Sequence, residues 1–352
     1  MQRKLERNFT IILLVMTVLL TGTLHFFPGL HSYAFFDTDE NDDVYSVMQL
    51  IREDNSLVVQ DKNLGASTHQ LRMELPSDVN PEDVEISQQP LYKSFTISIP
   101  GVDNNYVYSY PLVGSSDHIS DFTFDYSAGC GVFEIITDSV YELNTTMEGQ
   151  YLYFDFLDPH ELYDAIVVVD AGHGGKDGGC SNGDALEKDI NLAITEKMKP
   201  LFEEDDYNIG VYYTREKDFN PPYSSRVGLA NELQADLFLS VHINSTASGR
   251  VSGINGSEVM YRSADESGLS KAFANNCLES MLSTLGSNSK GLVAGDEIYI
   301  IRTSQVPVAL AEIGFITNNE EKNKLISEDY QQKAAESLYN AIVNTLKENK
   351  KL

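Results

Sequence analysis

The hydrophobic pattern of this chain changes its period once, near Asp164, and that change requires two differently built halves. Over residues 67–158 apolar and polar residues alternate, as in Leu71-Arg72-Met73-Glu74-Leu75, Phe95-Thr96-Ile97-Ser98-Ile99, Phe122-Thr123-Phe124 and Tyr151-Leu152-Tyr153-Phe154-Asp155-Phe156. Alternation puts one set of side chains on a buried face and the other in solvent. Punctuated by Pro76, Pro81, Pro90, Pro100-Gly101 and Gly129, these short strands predict a small all-β sandwich over residues 67–160.

Beyond Asp164 strand patterns alternate with amphipathic helical ones, which predicts an α/β fold over residues 164–350. Its expected core is a mixed, largely parallel sheet flanked by helices. Strands are expected at 166–170, 209–214, 236–242, around 298–301 and at 308–313. Helices are expected at 189–202, 225–234, 269–285 and 330–346. The charge follows the same division: residues 8–163 hold 24 Asp and Glu against 4 Lys and Arg, and residues 164–352 hold 28 against 18, giving −20 and −10. Nucleic-acid binding rests on neutralising phosphates with Lys and Arg, so a chain of net charge −28 is a poor candidate for it. The acidity fits a secreted protein, and equally one merely kept soluble by charge.

At the amino terminus Arg3, Lys4 and Arg7 precede an uncharged, largely apolar run at residues 9–27. That arrangement holds the terminus in the cytoplasm and exports the rest of the chain. The run is long enough for a spanning helix, which favours an uncleaved membrane anchor over residues 1–34, although Ser32-Tyr33-Ala34 offers a cleavage site. Residues 35–66 open with Asp37, Asp39, Glu40, Asp42 and Asp43, a self-repelling stretch expected to act as a linker. Three cysteines, Cys130, Cys180 and Cys277, make no disulfide framework and are expected to be buried free thiols.

Only two of the seven histidines lie beyond Asp164, and both stand at the carboxyl end of an apolar strand. His173 follows Val167-Val168-Val169-Asp170-Ala171-Gly172, and His242 follows Leu237-Phe238-Leu239-Ser240-Val241. Ligands of open α/β sheets bind at that edge. Glycines on both sides of His173 let the backbone turn sharply and leave the imidazole open. Glu187 sits just before a helix, where a carboxylate can simply favour the helix dipole. As a ligand it would complete a His, Glu, His set of the type that leaves a fourth position of a zinc ion open. Hydrolysis at such a site also needs a proton shuttle, and Glu312 supplies a candidate. It interrupts the apolar run Ala309-Leu310-Ala311-Glu312-Ile313-Gly314-Phe315, where an unpaired charge is costly unless it has a role. Arg215 and Arg226 offer guanidinium forks for a substrate carboxylate, or else pair with Asp218 and Glu232. Asn244, two residues past His242, is a candidate substrate hydrogen-bond donor.

Several blocks carry a likeness to one family. They are Val168-Val169-Asp170-Ala171-Gly172-His173-Gly174-Gly175-Lys176-Asp177-Gly178-Gly179, Glu187-Lys188-Asp189-Ile190-Asn191-Leu192, Thr214-Arg215, Ser225-Arg226 with Ala230-Asn231, Ala235-Asp236-Leu237-Phe238-Leu239-Ser240-Val241-His242-Ile243-Asn244, and Glu312-Ile313-Gly314-Phe315-Ile316-Thr317-Asn318. In this order, over residues 164–346, they resemble the zinc-dependent N-acetylmuramoyl-L-alanine amidases. Ala171 departs from that pattern, where the family often has proline, as does Cys180, where a small apolar residue is usual.

The resemblance implies one zinc ion per chain on His173, Glu187 and His242, with Glu312 as catalytic acid/base. It implies peptidoglycan as substrate, cut between the lactyl group of the muramic acid and L-alanine, in cell separation, wall turnover or sporulation. An activator or divisome protein is a possible partner, and the site of action is extracytoplasmic. Some members carry an inserted helix that plugs the zinc site. No such segment is evident between His242 and Glu312, so an open cleft is expected. The β half is similar, by strand pattern alone, to the AMIN domains that bind wall material. Two other readings are a zinc peptidase acting within the stem peptide and a non-catalytic wall-binding protein.

Overall fold

The computed structural model describes residues 69–110, 112–114, 116–127 and 129–352. The anchor and linker expected at 1–34 and 35–66 lie outside the described residues. Among the described residues no helix is long and apolar enough to cross a membrane. The chain divides into two compact units: described residues 69–88, 94–138 and 145–155 form the first, and residues 89–93, 139–144 and 156–352 the second.

Eight short strands precede residue 158: β1 (Leu71–Glu74), β2 (Glu85–Gln89), β3 (Ser94–Pro100), β4 (Val113–Gly114), β5 (Ile119–Ser127), β6 (Cys130–Thr137), β7 (Glu142–Glu148) and β8 (Tyr151–Leu157). They make two four-stranded sheets, ordered β4-β1-β8-β7 and β2-β3-β6-β5. In the first unit, alternation works as the sequence pattern requires. Leu71 and Met73, Phe95, Ile97 and Ile99, Phe133 and Ile135, and Leu152 and Phe154 are all buried. Tyr106 ties the sheets: its ring packs edge-on against Phe133, with centroids 6.0 Å apart, and its hydroxyl donates to the Glu74 carbonyl at 2.6 Å.

The second unit is built on a six-stranded sheet. Its members are β9 (Ala165–Ala171), β12 (Ile209–Tyr213), β13 (Leu237–Asn244), β14 (Ser257–Tyr261), β15 (Ser289–Ala294) and β16 (Val308–Phe315), in the order β12-β9-β13-β16-β14-β15. A separate hairpin, β10 (Ser181–Asn182) with β11 (Ala185–Leu186), stands in the loop after β9. All neighbours in the large sheet run parallel except β14 and β16. This is a mixed, largely parallel α/β sheet. After a four-residue helical turn at Pro159–Leu162, the helices that follow β9 are α1 (Glu187–Glu203), α2 (Tyr223–Glu232), α3 (Leu269–Leu285), α4 (Tyr299–Thr303), α5 (Asn319–Leu325) and α6 (Glu328–Glu348).

Strand alternation divides the sheet into two apolar layers. Val167, Val169, Leu239, Val241, Ala309 and Ala311 join α1, α3 and α6 on one face, and Ile166, Val168, Phe238, Val308 and Leu310 join α2 and α4 on the other. The face shared with α2 and α4 changes character toward the carboxyl ends of the strands. There its positions are filled by Asp170, Ser240, His242 and Glu312 rather than apolar residues.

Two local expectations are corrected. Residues 298–301 are not a strand: Tyr299–Thr303 form the one-turn helix α4, with Ile300 and Ile301 both buried against α2. Adjacent burial is a helical signature, and a short apolar run looks the same in either state. The strand in this region is β15, whose Lys290 and Gly291 conceal it from a hydrophobicity pattern. All three cysteines are free, but only Cys277 is buried; Cys130 and Cys180 are half-buried.

Phe273 of α3 is fully buried beneath the sheet. Phe273→Ala is expected to destabilise the second unit by about 3–5 kcal/mol, read as a lower urea midpoint.

Candidate metal centre

The loop leaving β9 is pulled into place by what it cannot contain. A Cβ on Gly172 would lie 2.2 Å from Cε1 of His242, and one on Gly179 would lie 2.4 Å from Oε2 of Glu187. Between them His173 adopts φ 62°, a left-handed conformation uncommon for a residue with a side chain. Such strain persists only where surrounding contacts enforce it. Here Arg226 does much of that work, taking the His173 carbonyl at 2.7 Å and the Ala171 carbonyl at 2.8 Å.

Three side chains converge on one point. His173, Glu187 and His242 each offer a ligand atom, all within 4.8 Å of one another. Glu187 is the first residue of α1, held inward because its own N–H and that of Lys188 donate to the Cys180 and Gly178 carbonyls. Its Oε1 lies 2.9 Å from His242 Nδ1 and 3.2 Å from His173 Nε2; its Oε2 accepts the Cys180 N–H at 2.8 Å. Donors around a tetrahedral zinc, at ~2.0–2.2 Å from the ion, sit roughly 3.3 Å apart, so the spacing suits such an ion. Asp177 Oδ2 takes Nδ1 of His173 at 2.9 Å, which turns Nε2 toward Glu187. A carboxylate behind a histidine in this way fixes ring orientation and tautomer.

Electrostatics agree with the geometry. Burial alone would raise the Glu187 carboxyl, but hydrogen bonds and charge from the two histidines hold it well below the ordinary range. Burial would lower His173, yet Glu187 and Asp177 push it up to about 9. The two carboxylates thus draw positive charge to this point of the site.

Glu312 stands beside His242 in the parallel β13–β16 register, and a bulge between His242 and Asn244 follows at once. Its Oε2 is buried with no hydrogen-bond partner. Burial, reinforced by Glu187 and Glu258 and opposed by the two histidines, raises its carboxyl to about 7. A group poised there can both accept and donate a proton near neutrality.

The arginines take different places from those expected of substrate contacts. All five N–H groups of Arg226 are occupied, by Asp170 Oδ1, Asn220 Oδ1 and the carbonyls of Ala171, His173 and Pro221. It has nothing left to offer a substrate carboxylate. Arg215, 2% exposed, bonds the carbonyls of Ala171, Gly172, Lys188 and Lys217. Neither pairs with Glu232 or Asp218: backbone carbonyls take the donors of Arg215, and Arg226 pairs with Asp170 instead. Asn244 is half-buried, with Nδ2 3.4 Å from Glu258 Oε1 and Oδ1 accepting the Ser245 N–H. Asp177 and Glu258, absent from the sequence-based site, are part of this constellation. The Gly-rich loop spacing points to Asp177, whereas Glu258 has no local signal.

Residues 167–344 match the family described as N-acetylmuramoyl-L-alanine amidase, half of the chain. The chain belongs to that family. It is 39% identical over 176 residues to Uncharacterized protein YqiI of Bacillus subtilis (strain 168), spanning 50% of this chain and 82% of that protein. It is 32% identical over 178 residues to N-acetylmuramoyl-L-alanine amidase LytC of the same organism, spanning 51% of this chain but only 35% of LytC. Among solved structures, the catalytic domain of CwlV, an N-acetylmuramoyl-L-alanine amidase from Bacillus (Paenibacillus) polymyxa var. colistinus, is 32% identical, covering 52% of this chain and 98% of that one, with a TM-score of 0.48.

The amidase unit carries a pH signature of its own in the metal-free state. Folded Glu312 keeps its proton up to about pH 7, whereas an unfolded glutamate loses it near 4.5. Between those values the native state keeps a proton on Glu312 that the unfolded chain has lost, so the Glu312 contribution to stability falls as pH rises and levels off above 7, whereas that of His173 goes on falling to about 9. Glu312→Gln removes that slope. Urea unfolding of metal-free protein is expected to show the variant gaining on the wild type, by roughly 3 kcal/mol, between pH 4.5 and 7.5.

Proposed function

We propose that this chain is a zinc-dependent peptidoglycan hydrolase that cleaves the amide between the lactyl group of N-acetylmuramic acid and L-alanine of the stem peptide. Family membership supports the peptidoglycan amidase activity. The observation that carries the chemistry is the pairing of a three-ligand His, Glu, His cluster with an unpartnered acid, Glu312, one strand away.

The residues present fit a zinc ion. Two imidazole nitrogens and one carboxylate oxygen are a common catalytic zinc set with an open position, and the cluster is crowded by glycines that leave no room for a Cβ. His173, Glu187 and His242 would hold the ion, with Asp177 orienting His173. When bound, zinc supplies Lewis acidity toward a water and the scissile carbonyl. Glu312 takes the proton of the attacking water and delivers it to the leaving nitrogen of L-alanine. The apolar strands beneath keep that carboxyl close to the neutral range where both transfers work.

The exported region would act outside the cytoplasm, tethered through the apolar run at residues 9–27 or secreted. The two antiparallel-paired β-sheets near the amino terminus support an AMIN-like sandwich that binds wall material. Elements between His242 and Glu312 are β14, α3, β15 and α4, with α3 packed on the far face of the sheet and α4 in the apolar layer, which supports a cleft open without an activator.

Digestion of purified peptidoglycan is expected to release intact stem peptides with new L-alanine amino termini. New termini elsewhere in the stem would identify a peptidase, and no release a wall-binding protein. Glu312→Gln is expected to keep its metal while losing at least about 10²-fold in turnover. His173→Ala and His242→Ala are expected to lose the metal itself, measured by elemental analysis. Metal uptake by the stripped wild type at pH 7.5 is expected to release protons, because His173 must give up the proton it holds below about pH 9. Calorimetry in buffers of different ionisation enthalpy checks this.

A further inference from the structure

Glu258 of β14 lies directly opposite Glu312 of β16 in their antiparallel pair, and Glu312 is in register with His242 on its other side. Residues directly opposite share a face, with Cβ atoms roughly 5 Å apart. The sheet thus carries a row in which a metal ligand is followed by the acid/base and then by a second carboxylate. Like charges so placed repel, which is one reason Glu312 keeps its proton toward neutrality, and the fold gives Glu258 itself few partners. Glu258 forms no ion pair among the described residues, and its only side-chain hydrogen bond, from Asn244 Nδ2, is long at 3.4 Å. Lys290 on the next strand acts on it only through space, its Nζ lying 5.8 Å from the Phe315 ring centroid.

A half-buried carboxylate has about four acceptor positions, and Glu258 spends one. A purely structural position would be served better by a neutral residue. The order of the row says what the remaining positions face. The scissile carbonyl belongs beside the His, Glu, His cluster and the leaving nitrogen beside Glu312, so the group one strand further from the metal meets what that nitrogen carries. That is L-alanine and the peptide bond after it, whose N–H is a donor.

We propose that Glu258 holds the leaving side of the stem peptide by accepting the N–H of the peptide bond that follows L-alanine, with Asn244 steadying the carboxylate. This rests on the amidase reading. It makes Glu258 a substrate-positioning residue of that reaction and explains why two carboxylates are tolerated side by side.

The test pairs enzyme variants with two muramoyl-peptide substrates, identical except that the bond after L-alanine is an amide in one and an ester, lacking the N–H, in the other. The full-length zinc-loaded protein is expected to prefer the amide about tenfold in kcat/KM, the worth of a hydrogen bond to a charged group. Glu258→Ala is expected to bring the two substrates level, and Glu258→Gln, which keeps a neutral acceptor, to retain part of the preference. The ratio is independent of how much of each variant is folded. An intact preference in Glu258→Ala, equal slowing of both substrates, or a wild type indifferent to the N–H would overturn the proposal. A wild type that releases a peptide with an L-alanine amino terminus from neither substrate would overturn the amidase reading instead.

Discussion

The buried ion pair between Arg226 and Asp170 is the constraint on which the metal centre depends. Each residue is 1% exposed. Asp170 Oδ1 takes Arg226 Nη1 at 2.7 Å and the Thr214 hydroxyl at 2.5 Å, while Oδ2 takes the Ser240 hydroxyl at 2.7 Å. Burial would raise the Asp170 carboxyl, but Arg226 and the two hydroxyls hold it below its ordinary value. Such a pair adds little net stability, because desolvation offsets most of the attraction, yet removing one partner leaves a buried charge and costs about 3–5 kcal/mol. Its use here is geometric. By spending its other donors on the Ala171 and His173 carbonyls, Arg226 holds the backbone that presents His173 in a strained conformation.

The second constraint is strand register. Because β9, β13 and β16 run parallel, Gly172, His242 and Glu312 arrive at the same edge of the sheet together. Alternation puts His242 and Glu312 on the face opposite the layer packed by α1, α3 and α6, at the end of the apolar stripe beneath α2 and α4. One face therefore serves two purposes along its length: its middle is core, and its carboxyl end is chemistry. The same apolar neighbours that stabilise the sheet raise the Glu312 carboxyl to about 7, so the packing that makes the fold also sets the acid/base.

Parts of this site are visible in the chain as breaks in a pattern. His173, His242 and Glu312 each interrupt or end an apolar strand, where a polar residue needs a reason. Glu187 makes no such break, since acids are common at helix starts, and chiefly the likeness to amidases marked it. Arg215 and Arg226 read as forks for a substrate carboxylate or as partners of Asp218 and Glu232, because burial is invisible in a sequence. Folding carries both into the loop they support, where backbone carbonyls, joined for Arg226 by Asp170 and Asn220, take their donors. Residues 298–301 deceived for a related reason: four apolar residues are too few to separate a buried helical turn from a strand, and the true edge strand contains Lys290 and Gly291.

The sequence by itself determined the two periodicities, hence a β half and an α/β half, and the residue types able to bind a metal and move a proton. Those follow from local chemistry: side-chain period, glycine beside histidine, and one acid in an apolar run. Only the tertiary structure decided that Glu187 reaches His242 across 55 positions of chain, that two arginines serve the backbone, and that Glu258 faces Glu312. These depend on register between strands distant in sequence and on which side chains burial leaves without water. Neither quantity is written in any local window of residues. The His, Glu, His cluster is thus a set of plausible ligands in the chain and becomes a single site when the parallel strands align.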